Sequence, residues 1–154
     1  MNPMPKRQRN DTNFIISPND KRQYRYMTLS NHLQILLVND ESATESSASM
    51  GIPIGSIDDD NTQGMAHYLE HMLFMGSEKY PNENHYDEVV TKYSGGTNAL
   101  TSDDHTVYYF ACTPDGFETV LDVFAQFFIA PLLKEDAIDR EMHAVHSEFV
   151  NSET

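Results

Sequence analysis

Two histidines and a glutamate fall within five positions of the run "GMAHYLEHMLFMG", residues 64–76. On a helix, His67 and His71 are four residues apart and project from one face on successive turns, close enough for both imidazoles to ligate one metal ion. Glu70 lies about 60° round such a helix from His67, where it can reach over the same ion without ligating it. This HxxEH order is the reverse of the commoner HExxH zinc signature. A hydrolytic zinc site takes three protein ligands and keeps one position open for water, whose pKa falls to about 7. A carboxylate beside that water can take its proton during attack on a carbonyl, and Glu70 is the candidate base.

The bland alternative is a helix that merely carries surface histidines. Met65, Leu69, Met72 and Leu73 argue against it, because they predict a buried helix, and histidines buried beside a glutamate are costly unless something satisfies them. The third ligand must come from elsewhere, and Cys112, His105, His143, His146 and the glutamates of the last helix are all candidates. Glu141 and Glu148 are seven positions apart, two turns, so they stack on one side of that helix at the border of its apolar stripe.

The elements that must position these groups follow from pattern. Residues 1–23 are polar, proline-bearing and aperiodic, and predict a flexible basic tail. Strands are expected over 24–29 and 33–38, with Ser30, Asn31 and His32 as their hairpin connection. In "ASMGIPIGS" the apolar residues Ala48, Met50, Ile52 and Ile54 alternate, so one face of a strand is buried, and Pro53 puts that strand at an edge or near its end. The aspartates of "DDDNTQ" offer capping oxygens to a helix over 62–75 closed by Gly76, and a second helix is expected over 81–93, stopped by Gly95 and Gly96. Two strands, "TNALTS" and "HTVYYFAC", come next. Thr113 as cap and Pro114 at the first helical position then open a helix whose Phe117, Leu121, Phe124 and Phe128 repeat at helical spacing and predict its core face. A last helix places Ile138, Met142, Val145 and Phe149 on one face and has no stop signal after Phe149. The chain is therefore expected to be a piece of a longer protein. Grouped strands followed by helices predict an α+β domain, a largely antiparallel sheet with helices packed on it, over 24–154.

Charge narrows the partners. The formal net charge is −14, and residues 1–25 hold six of the ten Lys and Arg, leaving a strongly acidic body. Such a body repels phosphate backbones and anionic lipid, so neither nucleic acid nor a membrane surface is an expected partner, whereas a cationic peptide would be drawn to it. The single cysteine, the absence of an apolar run behind the basic N-terminus and the absence of a long apolar segment set a cytoplasmic location as the expectation.

Taken together, "GMAHYLEHMLFMGSEKYPNENHYDEVVTKYSGGTNALTSDDHTVYYF" and "AQFFIAPLLKEDAIDREMHAVHSEF" resemble the N-terminal catalytic domain of the insulin-degrading enzyme, pitrilysin and nardilysin family of HxxEH zinc metallopeptidases, from about residue 21 to 152. The resemblance implies an incomplete N-terminal domain of a pitrilysin-like enzyme, one zinc ion and peptide substrates. That family places a ligating glutamate 76 residues beyond HxxEH, and here 76 residues separate His71 from Glu148, so the resemblance selects His67, His71 and Glu148 as the zinc ligands. It also assigns Glu141 to supporting the site from behind the metal, and Asn98 and Ala99 to pairing with substrate backbone. His146 stands where the family usually carries Asp or Asn. Family members are several times longer, and their later domains close a chamber and supply an Arg and Tyr that contact substrate, so the remaining domains are implied partners. The expected function is a zinc metalloendopeptidase acting on small peptides with Glu70 as general base. Its rivals are a non-catalytic zinc-binding module that needs the missing domains, and a zinc lyase whose third ligand is Cys112.

Overall fold

The computed structural model describes residues 14–152 and divides at Ala43/Thr44 into two compact units. In the first unit, β1 (Gln23–Thr28) and β2 (Gln34–Asn39) form an antiparallel hairpin, from Gln23 opposite Asn39 to Thr28 opposite Gln34. The connection closes with the Leu29 N–H on the Leu33 carbonyl at 2.9 Å, and His32 turns it with a φ of 68°. Of the expected tail, residues 1–13 lie outside the described residues. Just before β1, the Asp20 carboxylate accepts bonds from Arg22 and from the Tyr24 hydroxyl.

The second unit is a three-stranded antiparallel sheet with helices on one face. Its strands are β3 (Ser46–Ile52), β4 (Gly96–Thr101) and β5 (Thr106–Cys112), in the order β3-β5-β4. The register runs from Ser46 opposite Cys112 on one side of β5 and from Gly96 opposite Ala111 on the other. Alternation sorts β5 cleanly: Thr106, Tyr108, Phe110 and Cys112 are buried, while Tyr109 on the opposite face is 45% exposed. β3 alternates as expected through Ala48, Met50 and Ile52 and stops before Pro53, but Ile54 lies beyond the strand and is exposed.

Four helices complete the unit: α1 (Met65–Leu73), α2 (His85–Lys92), α3 (Phe117–Ile129) and α4 (Glu135–Ser152). The core gathers Leu73 of α1, Tyr86 and Val90 of α2, the buried face of β5, and Val120, Val123, Phe124 and Phe127 of α3. Each such side chain contributes about 1.5–3 kcal/mol by leaving water. Lys79 and Tyr80, in the loop before α2, both donate to Asp122 of α3 and fasten that loop to the core.

α1 is shorter than the pattern predicts, and its start explains why. Asp59, ending a single 3-10 turn, accepts from the Gly64 N–H at 2.7 Å and the Ala66 N–H at 2.8 Å, so the expected capping oxygen acts five residues upstream of Gly64. Gly64 has a φ of 88°, a left-handed conformation that a Cβ would strain. α2 likewise begins four residues later than expected, after the Asn82 side chain accepts the Asn84 N–H.

Two apolar stripes are rotated from their predicted positions. On α3 the buried set is Val120, Val123, Phe124 and Phe127, with Phe117 and Phe128 half-buried and Leu121 36% exposed. The reason is that α3 packs against α2 and β3 together, so the covered side is centred on Val120, Val123, Phe124 and Phe127. On α4, Ala137 and Glu141 are buried whereas Ile138, Met142 and Phe149 are 41%, 50% and 58% exposed, so the side facing α1 is the side of the glutamates. No described helix is long and apolar enough to cross a membrane.

Candidate metal centre

The site is built where α1 meets α4. α1 lies against β4, to which Glu70 is bonded through Thr101, and against α4, towards which His67 and His71 turn. The expectation of a wholly buried α1 is corrected: Met72 and Leu73 are buried, but Met65 and Leu69 are 49% and 45% exposed, because only part of the helix circumference is covered. The Tyr68 hydroxyl donates to the Ile138 carbonyl at 3.1 Å and ties the two helices together from the residue next to His67.

His67 Nε2 lies 3.4 Å, and His71 Nε2 3.6 Å, from the same oxygen, Oε2 of Glu148. The imidazole centroids are 4.9 Å apart with their planes crossed at 78°. Among the described residues this trio is the cluster whose donor atoms all lie within 4.8 Å of one another. Tetrahedral zinc with bonds of about 2.0–2.1 Å puts neighbouring donors about 3.4 Å apart, so the spacings from Glu148 to both imidazoles fit one ion. The side chains fit as well: His67 is 35%, His71 19% and Glu148 56% exposed, leaving an open side on which water can enter.

Behind the trio, Glu141 Oε2 sits 3.3 Å from His71 Nδ1. With its proton on Nδ1, the ring donates to that carboxylate and turns the Nε2 lone pair towards Glu148, the usual way a ligating histidine is oriented. The other Glu141 oxygen accepts from Arg140 Nε at 2.9 Å. Glu70 is 8% exposed, and its Oε2 accepts the Thr101 hydroxyl at 2.5 Å, which leaves Oε1 for a second partner. Thr101 is held near Thr106, whose own hydroxyl donates to the Ile54 carbonyl. Burial, reinforced by the negative charge of Glu70, pushes the Tyr108 hydroxyl well above its ordinary range, so that neighbour stays neutral.

Asn98 and Ala99 stand on β4, the outer strand beside α1, whose outer edge pairs with no other described strand. The other candidate ligands lie apart from the trio. His105 is paired to Asp104 at 2.6 Å, and His143 and His146 point to solvent from α4. Cys112 is in the hydrophobic core, where burial, aided by the charge of Asp115, raises its thiol pKa above the usual value. A buried neutral thiol is a poor metal ligand, so Cys112→Ala is expected to leave the zinc content of the purified chain unchanged by elemental measurement.

Sequence reasoning missed Thr101 and Arg140. Thr101 was within reach of it: on β4 it shares a face with Ala99, two residues earlier, and that face looks at α1. Arg140 carried no signal, because residues adjacent on a helix do not face each other, and only its long side chain lets it fold back onto Glu141.

Residues 34–154 match the profile of insulinase, peptidase family M16. The chain is 45% identical over 145 residues to the insulin-degrading enzyme of Mus musculus, covering 94% of this chain and 14% of the relative. It is 47% identical over 140 residues to insulin-degrading enzyme-like 2 of Arabidopsis thaliana, covering 90% and 14%. The crystal structure of pitrilysin superposes with a TM-score of 0.90 at 35% identity, over 95% of this chain and 16% of that one. The chain thus spans about one seventh of the length of the relatives it matches.

Proposed function

The chain belongs to the insulinase family, peptidase family M16, and from that premise we propose that it is the zinc-binding part of a metalloendopeptidase that hydrolyses peptide bonds of small peptides. The observation that carries the reading is the meeting of His67, His71 and Glu148 on one point between α1 and α4. In this reading those three residues hold one zinc ion. Bound zinc supplies Lewis acidity, which brings the ionisation of water down to about pH 7 and polarises a carbonyl.

The chain's own groups do the rest. Glu70, with Oε2 occupied by Thr101, takes the proton of the attacking water on Oε1 and delivers it to the leaving amine. Glu141 holds the His71 ring in its ligating tautomer. A peptide adds as an extra strand on the outer edge of β4, held by main-chain bonds largely regardless of its sequence. Ala99 N–H is met by its neighbour's Asn98 Oδ1 at 2.9 Å, and a peptide carbonyl would take that place while Asn98 turns to the peptide backbone. The acidic body favours cationic peptides, and a cytosolic setting, with Cys112 reduced, belongs to the same proposal.

The short span relative to the relatives supports a second reading, in which these residues bind zinc but need the rest of a longer enzyme, as partner domains, to turn over substrate. Zinc titration of the purified chain, followed by cleavage of a quenched fluorescent peptide with and without chelator, separates the two. One zinc per chain with chelator-sensitive cleavage supports the first reading, and one zinc without cleavage supports the second. No stoichiometric zinc would sink both.

A further inference from the structure

Arg140 is adjacent to Glu141 but belongs to a different side of α4, with its side chain 52% exposed, and nothing assigned so far requires it. Its guanidinium nonetheless has partners at two of its three nitrogens. Nε donates to Glu141 Oε1 at 2.9 Å, while Nη2 donates to Glu83 Oε2 at 2.8 Å and approaches the Met75 sulfur at 3.1 Å. Glu83 comes from the loop before α2 and Met75 from the turn after α1, so one side chain links α4 to two other segments.

The carboxylate it serves has little choice of partners. The Glu141 side chain is 11% exposed, with one oxygen on Arg140 and the other on His71 Nδ1. A carboxylate that far from water needs a compensating charge and a donor for each oxygen. Among the described residues Arg140 is the permanently charged cation paired with it, and a guanidinium fixes direction as well as charge. Met75, in the turn just after α1, and Glu83 meet the guanidinium at Nη2, away from the Nε that serves Glu141.

We propose that Arg140 is a positioning residue for the metal site, aiming Glu141 at His71 Nδ1 so that the His71 ring is set for zinc. This rests on the zinc reading given above. A cleft of about 390 Å³ opens beside Arg140, lined by Met75, Glu83, Asp87 and Glu141 among others, so water can replace the lost hydrogen bond but not the lost charge.

The test uses the 154-residue chain and variants Arg140→Gln, Arg140→Lys and Glu83→Gln. Zinc affinity is read by competition with a chromophoric chelator, and the visible spectrum is recorded after cobalt(II) substitution. Removing a residue that supports a ligand typically costs 10–100-fold in metal affinity. Arg140→Gln is expected near the lower end, about 10-fold weaker, with a shifted cobalt spectrum. Arg140→Lys keeps the charge and should recover most of the affinity, and Glu83→Gln should change it by less than about threefold. Circular dichroism confirms that each variant is folded. Unchanged affinity and an unchanged cobalt spectrum in Arg140→Gln would overturn the proposal, as would Arg140→Lys binding no better than Arg140→Gln. If the unaltered chain takes up no zinc, the reading beneath the proposal falls, and the proposal with it.

Discussion

Replacing Glu148 with alanine is expected to strip the chain of tightly held zinc. The trio supplies two imidazole nitrogens and one carboxylate oxygen, and the oxygen is the donor both rings share, at 3.4 and 3.6 Å. Among the described residues no neighbouring group is placed to stand in for it. His146 is two residues away, about 200° round α4, and is exposed. Glu141 lies on the correct side but already serves His71 and Arg140. Affinity should fall by more than the 10–100-fold typical of losing a merely supporting residue, read by competition with a chelator. Glu148 is more than half exposed, so the fold should survive. Zinc held as tightly by Glu148→Ala as by the unaltered chain would show that a different group completes the site.

The second large effect separates holding the metal from using it. Glu70→Gln should leave zinc in place, because Glu70 is not in the trio, yet lower peptide cleavage by the parent enzyme, of which the proposal makes this chain the zinc-binding part, by about 10²–10⁴-fold, the usual contribution of a positioned base. Glutamine has nearly the same shape, and its amide oxygen can still accept the Thr101 hydroxyl, so packing at this buried position changes little. What is lost is the capacity of the second oxygen to take a proton. Cleavage at the unaltered rate, at equal zinc occupancy, would remove Glu70 from the mechanism.

The local parts of this structure were legible in the sequence, and the parts set by packing were not. Alternation in β3 and β5, the hairpin of β1 and β2, and the pairing of His67 with His71 depend on spacings of two and four residues, which the backbone enforces wherever the element forms. Which side of an amphipathic helix turns inward is decided by its neighbours. On α4 the apolar row pointed to Ile138, Met142 and Phe149, yet α1 covers the side of Ala137 and Glu141, and a carboxylate is buried while a methionine is not. Geometry alone could place Glu141 and Glu148 on one side of α4 but not rank them. The 76-residue interval from His71 to Glu148 resolves that choice only for a reader who has met the family.

β4 has one further property. The segment Gly96–Thr101 contains no lysine, proline or acidic residue, the usual guards of an outer strand. Whatever would let it accept an incoming peptide, as proposed, would let it accept the same strand from another molecule, so stickiness and receptivity would be one trait. The opposing influence is long-range repulsion between bodies of net charge −14, which salt screens within about 8 Å at physiological ionic strength. Solutions of this protein should therefore stay clearest at low salt and neutral pH, and cloud first where that repulsion is screened or titrated away.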